Sequence, residues 1–462
     1  MIARLAVALL CAGTALGAGA AQADDDELDR IPAPTASQQA NTSNADEVFF
    51  LQNDVIGTAR RSDLPVAFPP PFPARWEERL FADARINWQL SDDVSLYYSG
   101  RLNLRAEDGL DVPSHENIRH DFREGYLAWK AGGATFLDIG RINLKSGVAL
   151  GFNPTDFFKT RAVVEPLSAD PSVLREDRLG TLMVFGQHLW ENASLSVAFA
   201  PKVTNPSPIY RNDNLPSFNP MLDRTNAETR FLAKGSARLF DDFAPELVLF
   251  SNDGHWSYGT NITHGIGQKI VAYAEWAGGN GLDLADEALQ FGKDTGTIPP
   301  AASSPLPSST TRRFESNASV GFSYTTESKI TFNLEYHYHQ AGFSDADWTR
   351  WFGAGALGNP ALDAELWYIR GYAADQGVPT ARQEAFLRAD WVDAFVEDLE
   401  ITAFINADLR DASSFSQVTA DYYLSREWTI GGLAAASFGG KRTDYGSLPS
   451  AGTFLVRVSR YF

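Results

Sequence analysis

Gly452-Thr453-Phe454-Leu455-Val456-Arg457-Val458-Ser459-Arg460-Tyr461-Phe462 alternates residue by residue. Phe454, Val456, Val458 and Phe462 fall on one face, and Thr453, Arg457 and Ser459 on the other. A period of two belongs to a β-strand, and here the two faces meet different surroundings. The one departure is Arg460, which shares the face of Phe462. Ordinary sheets also end in strands, so the kind of sheet depends on whether the remaining segments agree.

They do. Eighteen segments between Val48 and Phe462 read as strands, each roughly 9–15 residues, the length a tilted membrane-spanning strand needs. Turn residues separate them in pairs at Ser91-Asp92-Asp93, Gly132-Gly133, Glu191-Asn192, Gly267-Gln268, Thr326-Glu327 and Asp398. Between these turns lie longer segments: 61–76, 108–119, 145–178, 204–227, 278–312 and 342–381. An even number of strands puts both termini and every short turn on one side, and the long segments on the other. The expected fold is therefore all-β: an antiparallel transmembrane barrel of 18 strands, with 16 as the alternative because strand ends are legible only to a few residues.

Alternation assigns the side chains. In the segment 329–340, Ile330, Phe332, Leu334, Tyr336 and Tyr338 face outward, leaving Asn333, Glu335, His337 and His339 inside. In the same way Arg101, Asn103 and Arg105 line the interior, as do Arg230, Lys234 and Arg238, Arg388 and Asp390, and Asn406 and Asp408. A one-residue slip would turn these charges into lipid, at about 2–4 kcal/mol for each Arg or Lys at midplane. Segments 135–144, 179–190 and 428–438 are ambiguous, and Arg141 is assigned to neither face.

The chain's start bears on location. Arg4, an apolar run from Leu5 to Gly19 and the small-x-small triplet Ala21-Gln22-Ala23 read as a secretory signal over residues 1–23. Cys11, the single cysteine, lies within it, so the exported chain has no thiol. Residues 24–45 read as a flexible periplasmic tail, and 46–462 as the barrel. Loss of the signal leaves 38 basic against 58 acidic residues, a net charge of −20 that argues against nucleic acid as a partner. No segment approaches the ~20 apolar residues of a spanning helix.

Ending on Phe462, the terminal strand resembles the closing strand of Gram-negative outer-membrane β-barrels, which the barrel assembly machinery recognises. Residues 120–180 add a second resemblance. Glu124-Gly125-Tyr126, a hairpin, Gly140-Arg141-Ile142-Asn143 and then a long segment containing Gly151-Phe152-Asn153-Pro154-Thr155-Asp156-Phe157-Phe158-Lys159 are similar to the porin arrangement. There a long loop folds into the lumen. The resemblance implies a loop placing Asn153, Asp156, Lys159 and Arg161, with the acidic Glu165, Asp170 and Glu176, at or near a constriction. It also implies an outer-membrane location, with lipid and lipopolysaccharide as surroundings.

Three function classes follow. A porin-like channel for diffusion of small polar or charged solutes fits a lumen with charges of both signs. An export channel for an acidic polysaccharide, of the alginate-exporter kind, would need a lumen dominated by Arg and Lys. An outer-membrane enzyme would need a Ser–His or Asp–His constellation, and His115, His120, His188, His255 and His264 show none in sequence. A TonB-dependent receptor would need a plug domain ahead of Val48. Lumenal charges equally suit a cross-strand ion-pair network. His337 and His339 with Glu335 have a metal-capable spacing, but with so few other ligands neither metal nor cofactor is expected. The channel is the reading carried forward.

Overall fold

The computed structural model describes residues 45–108, 118–164, 166, 168–209, 219–240, 243–307 and 311–462. The signal and nearly all of the tail, together with His115 and Glu165, lie outside the described residues.

Eighteen strands form one closed antiparallel sheet. In chain order they are β1 (Ala45–Arg60), β2 (Trp76–Ser91), β3 (Val94–Glu107), β4 (Ile118–Lys130), β5 (Thr135–Ile142) and β6 (Thr181–Leu189). Next come β7 (Ala193–Ala200), β8 (Arg230–Ala237), β9 (Glu246–Asn252), β10 (His255–Ile266), β11 (Ile270–Gly281) and β12 (Arg313–Thr325). The last are β13 (Ile330–His339), β14 (Gln383–Trp391), β15 (Leu399–Asp408), β16 (Ser414–Tyr423), β17 (Trp428–Phe438) and β18 (Ser450–Tyr461). Every strand pairs with its sequence neighbours, and β18 pairs with β1 to close the ring. Closure leaves no unpaired edge, which is what a sheet in lipid requires.

Register settles the faces. On β13, Phe332, Leu334 and Tyr336 are exposed outward while Asn333, Glu335, His337 and His339 are buried inward. On β18, Phe454 and Val456 face out, and Leu455 is buried inside against Ile56 and Leu433. The irregular Arg460 is explained by its height. It sits at the terminal end of the barrel with its guanidinium over the rings of Trp428 and Phe462, at 5.2 and 4.7 Å. A stacked guanidinium at the membrane–water boundary suits an aromatic belt.

Two expectations need correction. Arg238 does not line the lumen. β8 stops at Ala237, and the chain turns through a stacked Phe240–Phe243 pair (4.7 Å) while the Arg238 amide bonds the Asn192 carbonyl. The aromatic turn ends the strand early and leaves Arg238 exposed. Nor are the long-loop-side connections uniformly long: β9 and β10 join through Asp253-Gly254, whose φ values of 44° and 85° are those of a two-residue hairpin turn.

The long segments are not structureless. They carry α1 (Pro171–Glu176), α2 (Leu222–Thr225), α3 (Leu284–Asp294), α4 (Asp345–Gly355) and α5 (Pro360–Gln376). Ser344 and Asp347 form a capping box on α4. Asn359 caps α5, Pro360 takes its first turn, and Gly377 at φ 66° ends it. Helices α3, α4 and α5 share an apolar core with Val66, Leu306 and Phe343, centred on Trp348, Trp351 and Trp367. This folded cap is joined to the β17–β18 loop by Arg370. It lies 5.2–5.4 Å from the three indole rings and donates to Ser447 Oγ (2.9 Å) and to Asp444.

Candidate functional site: the loop inside the barrel

The described residues of the segment between β5 and β6 (143–164, 166 and 168–180) lie inside the barrel and are fastened around most of its circumference. Part of the fastening is apolar. Phe157 stacks on Phe250 of β9 (4.3 Å, planes 6° apart), and Phe158 packs into an inward patch of Met183, Leu232, Val248 and Phe250. A water-filled lumen gives no reason for such residues on the inner face; the incoming loop does.

The tip is held by two wall carboxylates. Glu275 on β11 accepts from the amides of Val148 (2.9 Å), Ala149 (3.0 Å) and Thr155 (2.7 Å) and from the Thr155 hydroxyl (2.8 Å). Glu335 on β13 accepts from the amides of Leu150 (2.6 Å) and Gly151 (2.9 Å), from Tyr273 Oη (2.7 Å) and from His337 Nε2 (2.7 Å). Gly151 lies so close to His337 and Phe386 that a Cβ there would meet ring atoms at 2.6–2.8 Å. Five loop amides thus find charged acceptors, the strong class of hydrogen bond.

The returning limb is held by ion pairs. Arg388 on β14 pairs with Asp170 (3.3 Å), and Gln417 on β16 accepts from the Ala169 amide and donates to Ser168 Oγ. Asp177 then meets Arg101 of β3 (3.0 Å) and Arg123 of β4 (3.3 Å). The same two guanidiniums bind Asp83 of β2 at 2.9 and 2.5 Å. Two arginines and two aspartates make a neutral square. Beside it a small cavity is bounded on the wall by Arg101, Asn103, Arg119, Asp121 and Arg123, and on the loop by Val164, Asp177 and Leu179.

The sequence-derived wall residues are spread over several parts of the lumenal face. Arg101 and Asn103 (to Asp121, 2.6 Å) line this cavity. Arg105 stands higher, at the rim, paired with Glu107 (2.8 Å) and Glu77 (3.7 Å). Arg230 lies over Phe158, 6.0 Å from its ring centre, and Lys234 pairs with Glu246 (3.2 Å) on the far wall. Arg388 also pairs with Asp390 (2.6 Å); Asn406 bonds Glu384 (3.0 Å) and Tyr445 (2.9 Å); Asp408 pairs with Arg410. All of these point inward.

The four loop residues are inside as well, and each makes contacts that fasten the loop. The Asn153 amide folds back to the Ala149 carbonyl, and Asp156 holds Arg178 (2.6 Å). Lys159 donates to the Asn153 carbonyl (2.7 Å) across the ring of Phe152. Arg161 pairs with Asp375 of α5 (2.9 Å), which also takes Arg224 (2.6 Å) and so joins the lumenal loop to the cap.

Sequence reading passed over Asp83, Asp121, Arg123 and Glu275. The first three repeat at intervals of two beside Arg85 and Arg119, a signal the same parity argument reads. Glu275 is a lone carboxylate between Tyr273 and Ala277, with nothing local to mark its role. Arg141 is buried and bonds the carbonyls of Gly180 (2.8 Å) and Pro220 (2.5 Å). His337 and His339 sit beneath Phe152 with separate partners, Glu335 and the Pro379 carbonyl. Among the described residues no group of three or more His, Cys, Asp or Glu is arranged to hold a metal.

Comparison with solved structures finds porins. The chain superposes on Pseudomonas aeruginosa OccK11 (OpdR) with a TM-score of 0.51 at 10% identity, covering 90% of this chain and 96% of that one. For P. aeruginosa OccK8 (OprE) the TM-score is 0.50 at 11% identity, covering 91% and 98%. No family profile and no curated sequence matches. The likeness is one of fold: a closed 18-stranded β-barrel of the outer-membrane porin kind.

Proposed function

We propose that the protein is an outer-membrane channel for small polar or charged solutes. Its narrow passage runs between the β3–β4 wall and the returning limb of the lumenal loop. The observation that carries this reading is the loop itself, held inside the barrel by Glu275, Glu335, Arg388, Arg101 and Arg123. A loop fastened at so many points reduces the bore to a gap whose wall charges stay in place. Fixed charges in a low-dielectric setting screen solutes by sign and size.

Balanced charge favours a solute channel over an acidic-polysaccharide exporter. Arg101, Arg123, Arg388, Lys234 and Arg457 each have a carboxylate within 3.3 Å. An exporter of polyanions calls for uncompensated cations along its path. On this reading the short-turn end and both termini face the periplasm, and the cap faces outward.

Planar-bilayer recording of the refolded protein under a salt gradient tests the proposal. A steady conductance is expected, with altered ion preference when Arg101, Arg105, Arg230 and Arg388 are each changed to Ala. A silent bilayer, or unchanged permeability ratios in all four variants, would overturn it.

A further inference from the structure

Apolar side chains on a lumenal wall need a reason, because water is their alternative neighbour. Three apolar clusters lie within the described residues. The lumenal loop covers one, around Phe158 and Phe250, and the folded cap contains another. The third belongs to neither: Ile56 of β1, Leu433 of β17 and Leu455 of β18, with Ala435 packed against them. Register places this cluster on the lumenal face, since Ala435 stands opposite Gln417, whose amide donates to Ser168 of the lumenal loop.

On the cap side of that cluster the wall opens into a recess of about 280 Å³. It is bounded on the wall by Phe415, Ala435, Ser437 and Thr453, and at the top by Leu448 and Pro449 of the β17–β18 loop. Phe415 stands opposite Ser437, and Ala435 opposite Thr453, so the four wall side chains share the face of Leu433 and Gln417. The roof is held in place. Leu448 packs against the cap core, and Arg61 donates its amide to the Pro449 carbonyl (2.8 Å) and its guanidinium to the Ser437 carbonyl. The ring of Phe415 lies between those of Phe404 (5.9 Å) and Tyr445 (6.5 Å). Among the described residues no charged side chain lines the recess, in contrast to the ion-paired lumen around it.

We propose that the recess binds the aromatic ring of a small uncharged solute, on the cap side of the lumenal loop. An apolar cavity of about 150 Å³ is enough to hold a benzene ring, so this one has room for a ring that carries a substituent. Water placed there finds no hydrogen-bond partner in the side chains of Phe415, Ala435, Leu448 and Pro449. A ring displaces that water and packs beside Phe415. The Ser437 and Thr453 hydroxyls offer contacts to one polar substituent, such as a phenolic or benzylic hydroxyl. A carboxylate finds no cation among the lining residues. The proposal rests on the channel reading, and it adds to it a solute class selected by apolarity instead of charge.

Thiol labelling of the refolded, detergent-solubilised protein tests it without needing conduction. The exported chain has no cysteine, so Ala435→Cys places a single thiol in the recess, and Ser323→Cys places one on the lumenal face of β12 opposite Asn333. Each variant is treated with benzyl methanethiosulfonate and with its hydroxyethyl analogue, and the modified fraction is read by mass. The benzyl-to-hydroxyethyl rate ratio should be at least about tenfold higher at position 435 than at position 323. Benzyl alcohol should slow labelling at 435 and not at 323, and glycerol should slow neither. Adding Thr453→Trp, which fills the recess, should bring the ratio at 435 down to that at 323. Phe415→Ala, which removes the ring wall without adding bulk, should lower it as well. Equal ratios at the two positions, a thiol at 435 that reacts with neither reagent, or a preference that survives both second substitutions would each overturn the site. Failure of the channel reading shows separately, as a silent bilayer.

Discussion

Replacing Glu335 by Gln removes a charge without changing shape, and it probes what holds the loop in the lumen. In the native barrel each oxygen of Glu335 accepts two hydrogen bonds, one from a loop amide and one from a neighbouring side chain. A glutamine has one accepting oxygen. Its NH2 must then face either the Leu150 amide and the Tyr273 hydroxyl or the Gly151 amide and His337. Two charged hydrogen bonds are lost, at about 1.5–3 kcal/mol each. One loop amide is left buried against a donor. The docked loop should therefore weaken by about 3–6 kcal/mol, a factor of roughly a hundred or more in the ratio of docked to undocked loop.

Glu275 would still hold Val148, Ala149 and Thr155, so the effect should concentrate at residues 150–151 and spread toward Phe152. Single-channel recording should show a larger and noisier conductance than wild type. Trypsin added to the folded protein should cut at Arg161, Arg175 or Arg178, which are shielded when the loop is docked. A variant that runs as a folded barrel, with wild-type conductance and trypsin resistance, would refute the role given to Glu335.

Three further expectations follow from other parts of the molecule. Asp177→Asn leaves Arg101 and Arg123 with Asp83 alone and should shift the reversal potential toward anions. Glu176→Gln, one residue away and paired with Lys145, should not. Arg370→Met removes the bonds to Asp444 and Ser447 from beneath the Trp cluster, so the cap should lose near-ultraviolet dichroism and protease resistance while the barrel keeps its heat-modifiable migration. Burial raises Glu287 of α3 from 4.5 to about 7. Its folded form thus holds a proton the unfolded form has lost, and cap stability should fall as pH rises from about 4.5 through 7, with Glu287→Gln flattening the profile. Limited proteolysis of the cap across that range reads it; a cap most resistant at pH 8 would contradict the assignment.

Alternation alone determined the barrel. An even-numbered antiparallel barrel and the inward set at Arg101, Glu335 and Arg388 follow from period two, because lipid on one side and water on the other penalise any other register; the structure fixes the count at 18. Arg460 looked like a defect only because a pattern in one dimension has no height; at the interface its ring partners Trp428 and Phe462 account for it. Arg238 was misplaced for a related reason: parity continues indefinitely, whereas a strand ends where its turn packs, here at Phe240 and Phe243. The cap signatures Ser344…Asp347, Asn359-Pro360 and Gly377 stood in the sequence, but the helices' shared core joins segments far apart in the chain. The same separation hides where the lumenal loop docks. Asp177 meets Arg101 across 76 residues and Val148 meets Glu275 across 127, and no local pattern ties such partners together. The barrel wall was legible because each strand feels its two solvents locally; what fills its lumen was decided by where the loop docks.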